Sequence, residues 1–219
     1  MSVELKHYEQ RLSLNAGIAI GPILFIIAVL GILASAIAAG SGSFTTGTTG
    51  ESNRAKATAL IDIGQNLKLG FDRIIGNGIE FDNVVIDETK TDGDSDLFSP
   101  NGGGITAPSR TMGETPSTDE WMYPLIVIPG IGTSSGQRVA VIKVSEGVCD
   151  EINKKTIALD TGTAKTEHAS LGDFSGDETS AIDNSSSWPA SFEGKPVGCV
   201  YNDNGTTTGY FYYQVIGVQ

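Results

Sequence analysis

Three aspartates at alternate positions are the clearest candidates for binding chemistry in this sequence. Asp92, Asp94 and Asp96 stand in "TDGDSDLF" and match the first ligand positions of a helix–loop–helix calcium loop. That loop also needs a glycine and a glutamate at later positions, where this chain has Leu97 and Gly103. The sequence therefore excludes this type of calcium loop. A solvated acidic loop is the default interpretation, and an irregular calcium site is the alternative.

Catalytic chemistry finds little support among the remaining residues. The two histidines, His7 and His168, lie far apart in unlike surroundings, and the serine pair Ser134–Ser135 has no visible base. The glycines of "NGGG" and "GIG" lack the strand–loop–helix context and the Lys-Ser/Thr ending of a phosphate-binding loop. We therefore expect a protein that is not an enzyme and carries no cofactor.

The net charge limits the kinds of partner that the chain can bind, and the cysteine content limits its disulfide bonds. The formal net charge is −12 and the pI is about 4.5, whereas binding to a phosphate backbone needs clustered Lys and Arg. We therefore expect no nucleic-acid partner. Cys149 and Cys199 are the only cysteines, so they form either one disulfide bond or two buried thiols.

One apolar segment dominates the N-terminal part of the chain. No charged residue occurs between Arg11 and Glu51, and residues 16–39 are apolar or small except for Ser35. A helix of this length crosses a bilayer core of roughly 30 Å. The segment fits three interpretations: an uncut membrane anchor, an assembly helix, or a signal peptide cut near Ala38. The apolar run is longer than the usual signal-peptide core, which disfavours the last of these.

The order of residues in "FIIAVLGILASAIA" resembles the N-terminal helix of type IV pilins and pseudopilins. The leader peptide that this resemblance implies is long, as in the type IVb group of the family. Aligning Gly31 with the family glycine places Gly17 just before the prepilin-peptidase cut and makes Ile18 the first mature residue. The resemblance thus implies a leader over 1–17 and a transmembrane assembly helix over 18–39, which includes Phe25 and Leu33.

Pro22 departs from the family pattern. It occupies the position at which the family usually has a membrane-buried glutamate, thought to pair with a neighbouring subunit's N-terminal amine. A proline in the first turns of a helix costs little, because the N–H that it lacks has no partner there. The loss of the carboxylate removes a registration device and favours a minor subunit over a major one.

The rest of the chain predicts a linker and an α+β head. Residues 40–50 are rich in Gly and Thr, which disfavour a helix. A second helix is expected over 51–75, with Ser52 as its cap, Gly76 and Gly78 at its end, and an apolar stripe. The stripe comprises Leu60, Ile63, Leu67, Phe71 and Ile74. Strands are expected over 79–86, 123–130, 137–144 and 209–218.

The predicted fold is therefore α+β, with a long N-terminal helix, broken by the linker, packed on an antiparallel sheet in a head over 51–219. "VIKVSEGVCDEIN" resembles a type IVb pilin element in which a strand leads into a Val-Cys turn and a short helix. That resemblance implies a C-terminal disulfide between Cys149 and Cys199 and an exported head. An oxidising compartment is where such a bond persists.

The resemblance also implies the partners and the location. The partners would be copies of this chain, other pilin subunits, prepilin peptidase and an inner-membrane assembly platform. The subunit would stay in the inner membrane before it enters an extracellular pilus. A disulfide-bonded head belongs outside the cytoplasm, which places the N-terminus in the cytoplasm. Methylation is implied as a further modification.

Overall fold

The computed structural model describes residues 49–89, 93–158, 168–169, 182–183, 188–203 and 208–219. The chain divides into two compact units, Met1–Thr49 and Gly50–Gln219, and almost all described residues belong to the second. Within the described ranges, no helix is long and apolar enough to cross a membrane. The predicted membrane helix 18–39 and most of the predicted linker 40–50 lie outside these ranges.

Helix α1 is described over residues 49–76. Its buried face carries Ala57, Leu60, Leu67, Phe71 and Ile74, so the predicted helix and most of its apolar stripe are confirmed. The expected cap at Ser52 is wrong, because the chain is already helical at Thr49 and Gly50. The helix ends as predicted at Gly76, and the turn after it includes Gly78 at φ +91, a backbone conformation that favours glycine.

Within the described ranges the sheet has six strands, in the order β3-β5-β6-β2-β1-β4. They are β1 (Leu125–Val127), β2 (Gln137–Val144), β3 (His168–Ala169), β4 (Ile182–Asp183), β5 (Val197–Asp203) and β6 (Thr208–Val218). The central neighbours pair antiparallel, whereas the two-residue strands β3 and β4 pair parallel at the edges. The predicted α+β class with an antiparallel sheet is thus confirmed.

Both faces of the sheet are covered. On the first face, Ile142 and Tyr212 pack with Leu60 and Phe71 of α1. On the second face, Val141 and Tyr213 pack with Trp188 and Phe192 from the segment before β5. The alternation of inward residues along β2 and β6 produces these two layers, since successive side chains of a strand point to opposite faces.

The predicted strand over 79–86 is wrong. Phe81–Asn83 form a 3-10 turn, and Val85 makes only an isolated bridge with Asp96. Val84 and Ile86 are buried in the α1 layer of the core. Their apolar side chains therefore pack in the core, and no segment in the described part of the chain extends the bridge into a ladder.

The predicted strand 137–144 is β2, whereas the predicted strand 123–130 is shorter in the structure and covers only β1. The two strands pair antiparallel across the loop between them. That loop is closed by Gln137, which is fully buried. The Gln137 Oε1 accepts from Ile128 N at 2.8 Å, and its Nε2 donates to Thr133 O at 2.9 Å. The buried Gln137 amide thus forms hydrogen bonds with two backbone groups of the loop that the strand ladder does not pair.

Candidate functional site

The processing and assembly residues predicted from the sequence lie outside the described residues. They are Gly17, Ile18, Pro22, Phe25, Gly31 and Leu33. These residues remain predictions. Of the predicted site residues, Cys149 and Cys199, together with Asp94 and Asp96, fall within the described part of the chain.

The predicted disulfide is present. Cys149 and Cys199 are bonded with their Cα atoms 5.3 Å apart, and both are fully buried. Cys149 lies in helix α2 (Glu146–Thr156) and Cys199 in β5. Cys149 therefore lies inside the helix and not in a turn before it. The disulfide bond links α2 to β5, the strand that precedes β6 and pairs with it.

A second link joins α2 to β5 one turn beyond the disulfide. The Asn153 Nδ2 donates to Cys199 O at 2.8 Å, and the Asn153 Oδ1 accepts from Cys199 N at 2.8 Å. Asn153 is 1% exposed, so both hydrogen bonds are shielded from water. The side-chain amide of Asn153 thus pairs with the backbone of β5 as a neighbouring strand would. Cys199 is therefore bound to α2 twice, by its side chain through the disulfide and by its backbone through Asn153.

Helix α2 also contacts α1. Arg54 Nε lies 3.5 Å from Glu151 Oε2, and Lys155 Nζ donates to Thr58 Oγ1 at 2.9 Å. The hydrogen bond from Lys154 and the charge of Arg54 lower the pKa of Glu151, against an opposing effect of burial. α2 is thus held to the sheet by buried bonds and to α1 by exposed polar contacts, which contribute little to stability.

The acidic loop is braced internally. Asp96 is buried, its Oδ1 accepts from Phe98 N at 3.0 Å, and its backbone oxygen accepts from Gly103 N at 2.9 Å. Gly102 packs so closely on the Asp96 carbonyl that a Cβ there would overlap it. No group of three potential metal ligands occurs among the described residues, and Asp92 lies outside them.

The aromatic residues of the C-terminal quarter that the structure describes serve as core and cross-strand pairs. Trp188 contacts Tyr213 with ring centroids 5.1 Å apart, and Tyr201 pairs with Tyr210 across β5 and β6 at 4.9 Å. Burial, followed by the hydrogen bond with Glu146, raises the pKa of Tyr210 to about 12. Burial also raises the pKa of Tyr212 and Tyr213.

We expect these tyrosines to make the head sensitive to alkali. In the unfolded chain a tyrosine loses its proton near about pH 10, whereas the folded state keeps it. The contribution of these tyrosines to the free energy of unfolding is constant below that pH. Above it, the unfolded state releases protons that the folded state retains. Stability therefore falls as pH rises from about 10.

Urea unfolding followed by tryptophan fluorescence from neutral pH upward, together with tyrosinate absorbance, measures this effect. The absorbance of the three buried tyrosines should appear only with unfolding. Ionisation of all the tyrosines near about pH 10 in the folded protein, without loss of stability, would contradict the prediction.

The described residues thus define an α+β domain whose C-terminal hairpin is fastened by a buried disulfide to a short helix beside a long one. No protein-family model, no curated protein and no solved structure matches the chain.

Proposed function

We propose that this chain is a structural subunit of a type IV pilus-like filament. Prepilin peptidase cuts it after Gly17, and helix 18–39 first anchors it in the inner membrane and then packs among its neighbours in the filament core. The observation that carries the proposal is the order of residues in the apolar segment, with Gly17 followed by Ile18 and the family-like run through Gly31.

The described head supports the same proposal. A pilin-like subunit needs a helix that packs along the sheet of its head, and α1 packs on the sheet through Leu60, Leu67 and Phe71. It also needs a head that withstands an oxidising exterior, and the buried disulfide suits that compartment. The partners would be further copies and other pilin subunits.

The substitution Gly17→Asp is expected to block processing and filament assembly. A charged, branched side chain at the residue before the cut would hinder entry into the peptidase site and place a carboxylate at the membrane edge. Immunoblotting of cell and sheared surface fractions would show the uncut chain in the cells and none on the surface. Ser13→Asp, within the leader but away from the cut, is the matched control and should be processed normally.

Normal filaments from the Gly17→Asp variant would contradict the proposed cut. Two other classes of protein would give different results. An uncut single-pass interaction protein would keep residues 1–17 in every fraction, and a secreted protein cut near Ala38 would be insensitive to both substitutions.

A further inference from the structure

A half-open groove of about 370 Å³ lies beside the loop that follows α1. Its walls include Phe98, Pro100, Ile105 and Ala107, and Glu88 is the one charged side chain among its lining residues. The Tyr123 hydroxyl donates to Glu88 Oε1 at 3.3 Å. The groove therefore combines apolar walls with a carboxylate that is held in place.

This combination fits a lysine side chain. The alkyl part of lysine covers apolar surface, while its ammonium needs a carboxylate or water. An apolar ligand without charge would desolvate the Glu88 carboxylate and supply no positive charge to compensate it. The occupant indicated by charge complementarity is thus a primary amine on an apolar stem.

Lys195 has the properties of such an occupant. It is exposed on a turn and takes part in none of the ion pairs among the described residues. The turn is fixed on both sides, since Gly194 N donates to Pro129 O at 2.8 Å and the Tyr213 hydroxyl donates to Lys195 O at 3.2 Å. A side chain on a fixed turn loses less entropy on binding than one on a mobile loop.

The groove and the Lys195 turn lie over opposite faces of the sheet. Phe98 and Ile105 pack in the core layer of α1, whereas Phe192, next to the turn, packs in the layer on the other face. A sheet with a packed layer on each side is about 20 Å thick, which is beyond the reach of one lysine. Three other basic residues also lie outside the ion pairs of the described residues: Lys56, Arg73 and Lys155. They belong to α1 and α2, which pack on the same face of the sheet as the groove.

We infer that Lys195 of one copy of this chain binds in the Glu88 groove of a neighbouring copy. The contact joins two different surfaces, so it is heterologous and repeats along an open helical array. The strongly acidic heads repel one another, and this ion pair supplies an attraction at their contact. The inference rests on the proposed filament function and names the contact between heads.

A carbodiimide cross-linking experiment on filaments of the full-length chain tests the inference. Filaments assembled from mixed ¹⁴N- and ¹⁵N-labelled subunits are treated with the reagent, which couples a carboxylate to an amine in contact with it. Mass spectrometry should find an amide between Glu88 and Lys195 in mixed-label form. The product should be lost in Glu88→Gln and in Lys195→Gln, and retained in Lys56→Gln, the matched control.

Charge reversal provides a second readout. Lys195→Glu and Glu88→Lys should each reduce surface filaments about tenfold, as loss of roughly 1.4 kcal/mol per contact would, and the double variant should restore them. Filaments without the mixed-label product, with a product inside one chain, or with Glu88 coupled to another protein would overturn the inference and leave the filament function standing. An absence of both processing at Gly17 and filaments would overturn the proposed function, and the inference with it.

Discussion

Replacing Cys149 and Cys199 together with alanine is expected to lower the free energy of unfolding by about 4 kcal/mol. The bond closes a loop of sequence separation 50, and its loss restores the conformational freedom of that loop in the unfolded chain. Loss of two fully buried sulfur atoms adds a packing cost. A loss of this size is a large part of the stability of a small domain.

Urea unfolding of the full-length chain, followed through the buried Trp121 and Trp188, measures this effect. The reduced wild-type protein is the matched control, because it lacks the cross-link but keeps the sulfur atoms. Its midpoint should lie between those of the oxidised protein and the alanine variant. Equal midpoints for the oxidised protein and the variant would show that the bond does not stabilise the head.

The substitution Gly64→Ala is expected to destabilise the head by about 2 to 3 kcal/mol. A Cβ at Gly64 would overlap the Tyr212 hydroxyl and lie 2.8 Å from Gln214 Cγ, so α1 would have to move away from the sheet. The same change in an open part of a helix stabilises by up to about 1 kcal/mol. Gly76→Ala is the matched control, since a Cβ there would meet nothing within 4 Å.

Tyr212→Phe sharpens this test. The Tyr212 hydroxyl is buried and has no hydrogen-bond partner in the described structure, so its removal should stabilise the head by about 1 kcal/mol. The hydroxyl is also the atom that alanine at position 64 would strike. The double variant should therefore recover most of the loss, and the two changes should be non-additive. Additive effects, or a Gly64→Ala variant as stable as Gly76→Ala, would contradict the close contact.

Patterns of apolar residues were sufficient to predict the regular parts of the fold. The stripe that includes Leu60, Leu67 and Phe71 predicted α1, and the short run of β-branched and apolar residues in 137–144 predicted β2 to the residue. The stripe marks the one face of α1 that is buried, whereas the apolar run marks a strand that is buried on both faces. The cysteine pairing followed from the resemblance and from the presence of only two cysteines.

The errors arose where contacts distant in sequence decide the structure. Ser52 is a good cap residue, but the helix is already formed at Thr49, so Ser52 lies inside the helix, where the N–H groups that a cap would bind are already at helical positions. Val84 and Ile86 are of residue types that are common in strands, but here they pack in the core and form no strand ladder. β5 went unpredicted because its short run around Cys199 shows no extended alternation.

The contacts of two residues with large roles could not be predicted from the sequence. Asn153 matched a motif, but its double hydrogen bond to Cys199 depends on α2 and β5 being adjacent. Gly64 lies inside a helical pattern, where glycine is simply unfavourable. The close approach of Tyr212 and Gln214 from the sheet explains why glycine is needed there.

The most direct test of the account is the N-terminal sequence of the protein recovered from the membrane and from sheared cell-surface material. The filament proposal predicts that surface material begins at Ile18, with residues 1–17 present only in the unprocessed membrane form. A start at Met1 or Ser2 in every fraction would identify an uncut anchored protein. A start near Ala39 would identify a secreted one, and either result would contradict the proposed function.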